Sequence, residues 1–550
     1  MKFFDFDRKT QEIFNNFLLD FKPINWKSWL KLTSREDYED LALKLSGLNK
    51  IDNLYERIKK EETNSRSFSI EISSFLNSYN SKEPLVLCHS SGTTNSDISQ
   101  LKWFHMSKSL IERVWAPGMQ AIFESSGLDS KGSAVIFVPS RMKFDGLNSV
   151  NGKEYLSLYS SEFSQRVMLS VLKPKNYLFY EYKKATGLEI ISEILSLQDI
   201  TTISAPAITI LKWANKKKLS EQIQVSYNNL KTDNSFESNN LINLIKREGI
   251  VSASNEIYKL LSDKLSPATI IFSISSLSQD DWNLIRRFMK WEKGKERFMN
   301  LYVASEIGPF AASITDRDFE ISRSNQMFVF PLTFPIIERN GEKSLISRSK
   351  NSRGKLFVSR LNDGNPLINI DIGDVIHIKN QDALPIIDGK ILRAGFNLKY
   401  SINISKKVKI PSEYNVYAGD FFSFKKFDVI EPRNLLNYLN TQCQNNMDSM
   451  LLIESADIIN EIKPWKLVLQ VNENSNCVTQ NDFFEKISKM PKVQGIYDAI
   501  KEKYLQLELI DEPPVDFLKT RSEMLSKVRN GQIPKGILKK WPLYILSPVS

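Results

Sequence analysis

Residues 89–102 read His-Ser-Ser-Gly-Thr-Thr-Asn-Ser-Asp-Ile-Ser-Gln-Leu-Lys, directly after the apolar run Pro84-Leu85-Val86-Leu87-Cys88. Here a buried strand would empty into a loop of small hydroxyl residues around one glycine. Such a loop can wrap a polyphosphate: Gly92 lets the backbone come close, and backbone N–H groups and the hydroxyls of Ser90, Ser91, Thr93 and Thr94 donate to phosphate oxygens. Lys102 can add charge. An ordinary Ser/Thr-rich turn would have the same composition, so the loop alone does not decide.

Two further segments bear on it. Tyr302-Val303-Ala304-Ser305-Glu306-Ile307-Gly308 ends a second apolar run. A carboxylate at a sheet mouth, beside a hydroxyl and an aromatic ring, can hold a magnesium ion and face a base. Pro366-Leu367-Ile368-Asn369-Ile370-Asp371-Ile372-Gly373-Asp374 precedes Val375-Ile376-His377-Ile378. An aspartate after a glycine at a strand start can accept both hydroxyls of a ribose. Taken singly, Glu306 could be a strand-end surface acid and Gly373-Asp374 a common turn.

The elements that must position these residues follow from periodicity. Residues 1–80 carry apolar positions at helical spacing. Strands are expected at 84–88 and 133–138, with a helix between them capped by Ser107, running toward Leu128 and bent near Pro117. An αβ alternation covers 185–212 and 241–305, with short apolar strands at 268–272 and 300–303 that suit a layered α/β fold. The Asn/Ser/Asp-rich stretch 226–240 reads as an exposed loop or the start of a surface helix. From 326 to 410 the pattern turns to short strands with Gly, Asn and Pro punctuation. After about 415, strands at 424–429, 449–453, 466–471 and 507–510 and helices at 433–443, 482–489 and 494–506 make a compact α+β unit.

With 550 residues the chain exceeds a single core and is expected to divide into domains. Composition is that of a globular protein, and no apolar run is long enough to span a bilayer, so no membrane partner is expected. Acids within Met1-Lys2-Phe3-Phe4-Asp5-Phe6-Asp7 speak against a signal peptide. Cys88, Cys443 and Cys477 form neither a metal spacing nor an even disulfide set, and a cytoplasmic protein is expected. The net charge of +10 suits ligands bearing phosphate. The cluster Arg286–Arg297, with Phe288 and Trp291, superficially suggests nucleic acid. Its interleaved acids favour a solvated helix face instead, and no nucleic-acid partner is expected. His89, His105 and His377 are scattered; His89 abuts the loop.

In order and spacing, the loop near 90, Tyr-x-x-Ser-Glu near 305 and Gly-Asp near 374 resemble the adenylate-forming enzymes. These include acyl-CoA synthetases and phenylacetate-CoA ligases. Their phosphate loop is typically Ser-Ser-Gly-Thr-Thr-Gly-x-Pro-Lys. Gly354-Lys355-Leu356-Phe357-Val358-Ser359 resembles the strand before the last motif in phenylacetate-CoA ligases. Thr201–Pro206 and Phe424–Pro432 are similar to further family segments, so the resemblance extends from about residue 84 to the C-terminus. It implies an α/β fold: an N-terminal adenylation domain over 1–415, of layered α/β subdomains with a helical start at 1–80 and a β-rich subdomain at 326–410. A small mobile α+β domain would follow over 416–550.

The resemblance also implies roles. Ser90, Ser91, Gly92, Thr93, Thr94 and Lys102 would hold the phosphates of ATP, and Tyr302 would stack on or border the adenine. Ser305 matches the family's threonine, Glu306 its magnesium-binding glutamate and Asp374 its ribose-binding aspartate. Gly531–Lys540 loosely resembles the segment with the catalytic lysine, which leaves Lys535, Lys539 or Lys540 for that role. The implied reaction joins a small carboxylic acid to ATP, giving an acyl-adenylate and pyrophosphate, and then passes the acyl group to a thiol such as coenzyme A. An acceptor or carrier protein is a further partner the resemblance allows, and the chain would act as a monomer or homodimer. Departures are Asn95 for the second loop glycine, a missing Pro-Lys ending, Val303 for a glycine, Asn369 for an arginine, and no recognisable hinge. They keep open an adenylyltransferase, an acyl-protein synthetase, or a non-catalytic nucleotide-binding scaffold.

Overall fold

The computed structural model describes residues 9, 12, 85–89, 103–125, 132–138, 145–150, 152–181, 185–230, 240–273, 279–292, 295–304, 307–313, 326–339, 341–345, 352–360, 367–378, 386–392, 396–403, 413–419, 421–424, 427–430, 435–436, 450–453, 465–470, 485, 488–489, 494–510, 526–527, 530, 532 and 543–548. The chain is mixed α/β and falls into two compact units. The first holds the described residues of 1–91, 101–372 and 377–390; the second holds those of 373–376 and 391–550.

A small sheet in the first unit has the order β2-β1-β5-β4. It contains β1 (Val86–His89), β2 (Trp103–Met106), β4 (Gly146–Val150) and β5 (Lys153–Tyr159). β1 is parallel to β5 and antiparallel to β2. All four residues of β1 are buried, as a short apolar run bounded by polar residues requires.

After β2, Ser107 caps α1 (Lys108–Leu110) by accepting the Leu110 N–H at 3.2 Å. A π-helical turn, Ile111–Trp115, leads into α2 (Ala116–Ser125). The bend expected near Pro117 takes this form: Pro117 brings no N–H, and the turn just before it widens so that Ala116 N–H donates to Ile111 O.

A second, twelve-stranded sheet begins with β3 (Ser133–Val138), β6 (Asn176–Glu181), β7 (Ile200–Ser204), β8 (Thr269–Ser273) and β9 (Phe298–Ala304). β3 is parallel to both β6 and β7, β7 to β8, and β8 to β9. The crossovers are helical, as parallel strands demand. They are α3 (Ser160–Leu172), α4 (Leu188–Ser196), α5 (Ala207–Ala214), α6 (Lys216–Leu230), α7 (Asn240–Glu248), α8 (Ile250–Leu265) and α9 (Gln279–Phe288). α4 buries Leu188, Ile191 and Ile194 at spacings of three. These join Trp213, Ile257, Trp282 and Phe288 in one apolar core. α6 carries the stretch from 226 onward as far as Leu230.

Further strands complete this sheet in the order β13-β12-β14-β15-β16-β11-β10-β9, antiparallel in the pairs β13–β12, β12–β14, β16–β11, β11–β10 and β10–β9. They are β10 (Gly308–Ser313), β11 (Gln326–Val329), β12 (Thr333–Arg339), β13 (Glu342–Leu345), β14 (Ser352–Arg360), β15 (Leu367–Ile378) and β16 (Ile386–Leu392). α3 packs on β1, β3, β5 and β10, and so touches strands of both sheets.

In the second unit β17 (Phe396–Asn403), β18 (Glu413–Gly419), β21 (Met450–Ile453), β22 (Trp465–Gln470), β23 (Leu505–Ile510) and β24 (Leu543–Pro548) form a sheet of order β17-β18-β24-β21-β22-β23. β19 (Phe421–Phe424) and β20 (Phe427–Ile430) pair as a hairpin where one strand, 424–429, was expected. α10 (Gln494–Lys501) packs on β20 and β23. It ends earlier than the expected 506, because β23 starts at Leu505. Among the described residues no helix is long and apolar enough to cross a membrane. The expected helices over 1–80 and over most of 433–443 and 482–489 lie outside the described residues.

Candidate functional site

Of the residues expected to act, Tyr302 and Asp374 are described. Ser90, Ser91, Gly92, Thr93, Thr94, Lys102, Ser305, Glu306, Lys535 and Lys539 lie outside the described residues. The described chain fixes the strands on which several of them border.

β9 is buried along Phe298–Tyr302 and ends at Ala304. Ile307 N–H donates to Ala304 O at 3.2 Å, and Gly308 pairs with Ala304 as β10 begins. The chain therefore reverses between Ala304 and Gly308. Gly308 has φ +78, and a Cβ there would lie 2.0 Å from Trp115 Cζ2, so backbone conformation and space both require glycine. Tyr302 is 5% exposed, its ring 6.4 Å from that of Phe310. Burial pushes its hydroxyl pKa far up.

β1 ends at His89, one residue before Ser90. His89 is wholly buried, and its Nε2 lies 2.5 Å from Asp145 Oδ1, whose side chain is equally buried. Trp103 and Tyr159 flank the imidazole at 5.0 and 5.9 Å between ring centroids. His89 is thus a satisfied core histidine at the mouth of the loop. Cys88, on the opposite face of β1, is a buried free thiol. Burial raises its pKa well above the usual value, helped by the charges of Asp145 and Glu162 and opposed by Arg360.

Further buried charges lie on α3 and at the end of β14. Arg166 donates Nε–H and Nη2–H to Glu162 Oε1 at 2.9 and 2.5 Å, both side chains about 1% exposed. The guanidinium also lies 4.4 Å from the centre of the Phe179 ring. Gln165 Oε1 accepts from Ser204 Oγ at 2.7 Å where β7 ends. From β14, the fully buried Arg360 donates Nη1–H to Ile307 O at 2.5 Å. Burial lowers the pKa of Arg360 to about 9, so at neutral pH it remains a cation. Burial, aided by Arg360, lowers that of His105 to about 4.

The sequence reading passed over Arg360, Asp145, Glu162 and Arg166. A signal existed for Arg360: it continues the alternation Leu356, Val358, Arg360, all wholly buried. A charged residue in phase with a core face marks a buried charge. The i,i+4 spacing of Glu162 and Arg166 was a similar mark.

Asp374 lies half-buried within β15, a single strand of twelve residues, rather than at a strand start. The strand is broken locally by two left-handed residues, Asn369 at φ +49 and Gly373 at φ +74. Asn369 N–H donates to Ser359 Oγ at 2.8 Å. Asparagine tolerates this conformation better than arginine, which accounts physically for that departure. The Arg286–Arg297 cluster is tied up internally. Arg286 pairs with the buried Glu296 at 2.7 Å, Lys290 with Asp263 and Lys295 with Glu292. Trp282, Phe288 and Trp291 are core rather than exposed stacking platforms.

No protein-family model and no curated protein matches the chain. Among solved structures it is similar to the amide bond synthetase McbA from Marinactinospora thermotolerans, at 10% identity over 82% of this chain and 70% of that one, with a TM-score of 0.39. It is similar to fatty acyl-adenylate ligases from E. coli and L. pneumophila, at 10% identity over 81% and 69%, TM-score 0.37. It is also similar to McyG A-PCP complexed with phenylalanyl-adenylate, at 10% identity over 82% and 59%, TM-score 0.37.

Proposed function

We propose that the chain is an ATP-dependent carboxylate ligase that forms an acyl-adenylate, releases pyrophosphate and passes the acyl group to a thiol, coenzyme A first among the acceptors. The observation that carries this reading is where the motifs follow on the strands. Ser90–Thr94 come directly after the carboxyl end of buried β1, and Ser305-Glu306 directly after that of buried β9. Ligands of α/β sheets gather outside strand carboxyl ends.

In this reading a substrate carboxylate oxygen attacks the α-phosphorus of ATP, and the bond to the pyrophosphate oxygen breaks. Ser90, Ser91, Gly92, Thr93, Thr94 and Lys102 hold the phosphates, and Asp374 accepts the ribose hydroxyls. Lys539 or Lys535 offsets the negative charge that grows on the α-phosphate oxygens, a role whose loss costs rate more than binding. Tyr302 borders the adenine rather than stacking on it, because its side chain is buried. Magnesium, when bound, neutralises phosphate charge. One carboxylate, Glu306, together with phosphate oxygens and water is a donor set that suits it. Among the described residues no group of three or more His, Cys, Asp or Glu could hold a metal ion. The sequence expectation assigns the adenylation to 1–415 and the lysine to 416–550, whereas the compact units divide near Lys390–Ile391 and β18 spans Glu413–Gly419.

The test is exchange of labelled pyrophosphate into ATP with magnesium and a panel of fatty and aromatic acids. Exchange that depends on one class of acid supports the reading. ATP binding with no exchange for any acid overturns it in favour of a nucleotide-binding scaffold. Adding coenzyme A, a carrier protein or an amine to the active mixture then identifies the acceptor.

A further inference from the structure

The large sheet ends differently at its two sides. At one side lies β13, a strand of four residues that opens with Glu342-Lys343. Short, charged strands are how a sheet edge is ordinarily kept from pairing with another chain. At the other side lies β6, with six residues, Asn176-Tyr177-Leu178-Phe179-Tyr180-Glu181. It pairs with β3 in one unbroken register, and among the described residues no strand pairs with its outer side. No charge, proline or bulge interrupts it from Asn176 to Tyr180. An edge strand turns every second residue's N–H and C=O away from its one neighbour, which makes it a template for a further strand.

The two faces of β6 are already packed. Arg166 of α3 lies 4.4 Å from the centre of the Phe179 ring. Leu178 and Tyr180, on the opposite face, pack against the apolar core, and the Tyr180 hydroxyl donates to Glu193 of α4. What β6 leaves open is its edge. Charges flank that edge: Lys175 just before the strand and Glu181 at its end, with no ion pair for either.

These charges select a partner. Two copies of β6 laid antiparallel about a two-fold axis must be centred on a residue, because directly opposed residues share one hydrogen-bonding phase. Centred on Leu178, Tyr177 of each copy meets Phe179 of the other, Asn176 meets Tyr180, and Lys175 meets Glu181 at both ends. Aromatic and opposite-charge pairs directly across a ladder are favourable. Centred on Phe179, Lys175 would meet Lys183; centred on Tyr177, Tyr180 would meet Pro174, which has no N–H to give.

We propose that β6 is the docking edge for a second copy of this chain, paired antiparallel across a two-fold axis at Leu178, so that the large sheet continues from one copy into the other. A ladder of this length is a small interface, so the dimer forms and dissociates with concentration.

Sedimentation equilibrium of the full chain at physiological ionic strength, from about 1 to about 200 μM, tests this over the range in which small interfaces associate. The wild type is expected to exchange between monomer and dimer. Lys175→Glu and Glu181→Lys each set like charges opposite one another at both ends, and each is expected to raise the dissociation constant about tenfold. The double variant Lys175→Glu/Glu181→Lys restores opposite charges and is expected to return to within about threefold of the wild type. Neither side chain belongs to the core, and circular dichroism checks that all variants fold. A wild type that stays monomeric throughout overturns the proposal and leaves the edge to an extended segment of a different protein. A dimer that ignores both single substitutions, or a double variant as weak as the single ones, places the contact elsewhere and overturns it as well.

Discussion

At the scale of single residues, the site's surroundings are fixed by a few positions with little freedom. Gly308 combines a left-handed backbone with contact against Trp115. Gly308→Ala is expected to cost about 2–5 kcal/mol, the sum of left-handed strain and overpacking. Gly341 has φ +83 but open space around it, so Gly341→Ala is expected to cost only the backbone strain of about 1–2 kcal/mol. Urea unfolding of both variants checks this, and equal losses would show that the Trp115 contact is not tight. Glu162→Gln removes the charge opposite Arg166 in a fully buried pair. It is expected to cost about 3–5 kcal/mol, read by the same method. Glu306 and Asp374 stood out in the sequence by the hydroxyl and glycine residues beside them; Glu306 lies outside the described residues, and Asp374 lies within β15 rather than at a strand start. Asp145 was not legible, since nothing local says that the residue before β4 meets His89 of β1, two strands away in the same sheet.

At the scale of elements, apolar runs were the legible part. β3 matches its expected bounds, and β8 and β9 contain most of theirs. Buried parallel strands read as continuous apolar stretches, and these do. The hairpin of β19 and β20 was not legible, because pairing depends on a partner strand that local pattern does not name. The pairing of β1 and β2 has a consequence for pH. Burial on β2 lowers the pKa of His105 to about 4, from about 6.5 in an unfolded chain. Between those values the unfolded state binds a proton that the folded state refuses. Stability therefore falls as pH drops from about 6.5 to about 4, by about 3 kcal/mol in all, and is flat in this respect above and below. Urea midpoints across this range are expected to show that slope, and His105→Gln is expected to reduce it. An unchanged slope in the variant would assign it to other groups.

At the scale of the whole molecule, the chain is a mixed α/β protein of two compact units. The alternation of strands and helices through 185–305 and the strand-rich run from 326 onward made the class legible. The twelve-stranded order of the large sheet was not, because distant strands such as β11 and β16 pair through register alone. The proposed ATP site also belongs to this scale, since its motifs are separated by hundreds of residues and act only if the fold brings them to one ATP. The most direct test is acid-dependent exchange of labelled pyrophosphate into ATP by wild type, Glu306→Ala and Asp374→Ala, with circular dichroism to confirm that all three are folded. Exchange is expected in the wild type and none above background in either variant; wild-type rates in both variants would contradict an ATP site built on Glu306 and Asp374.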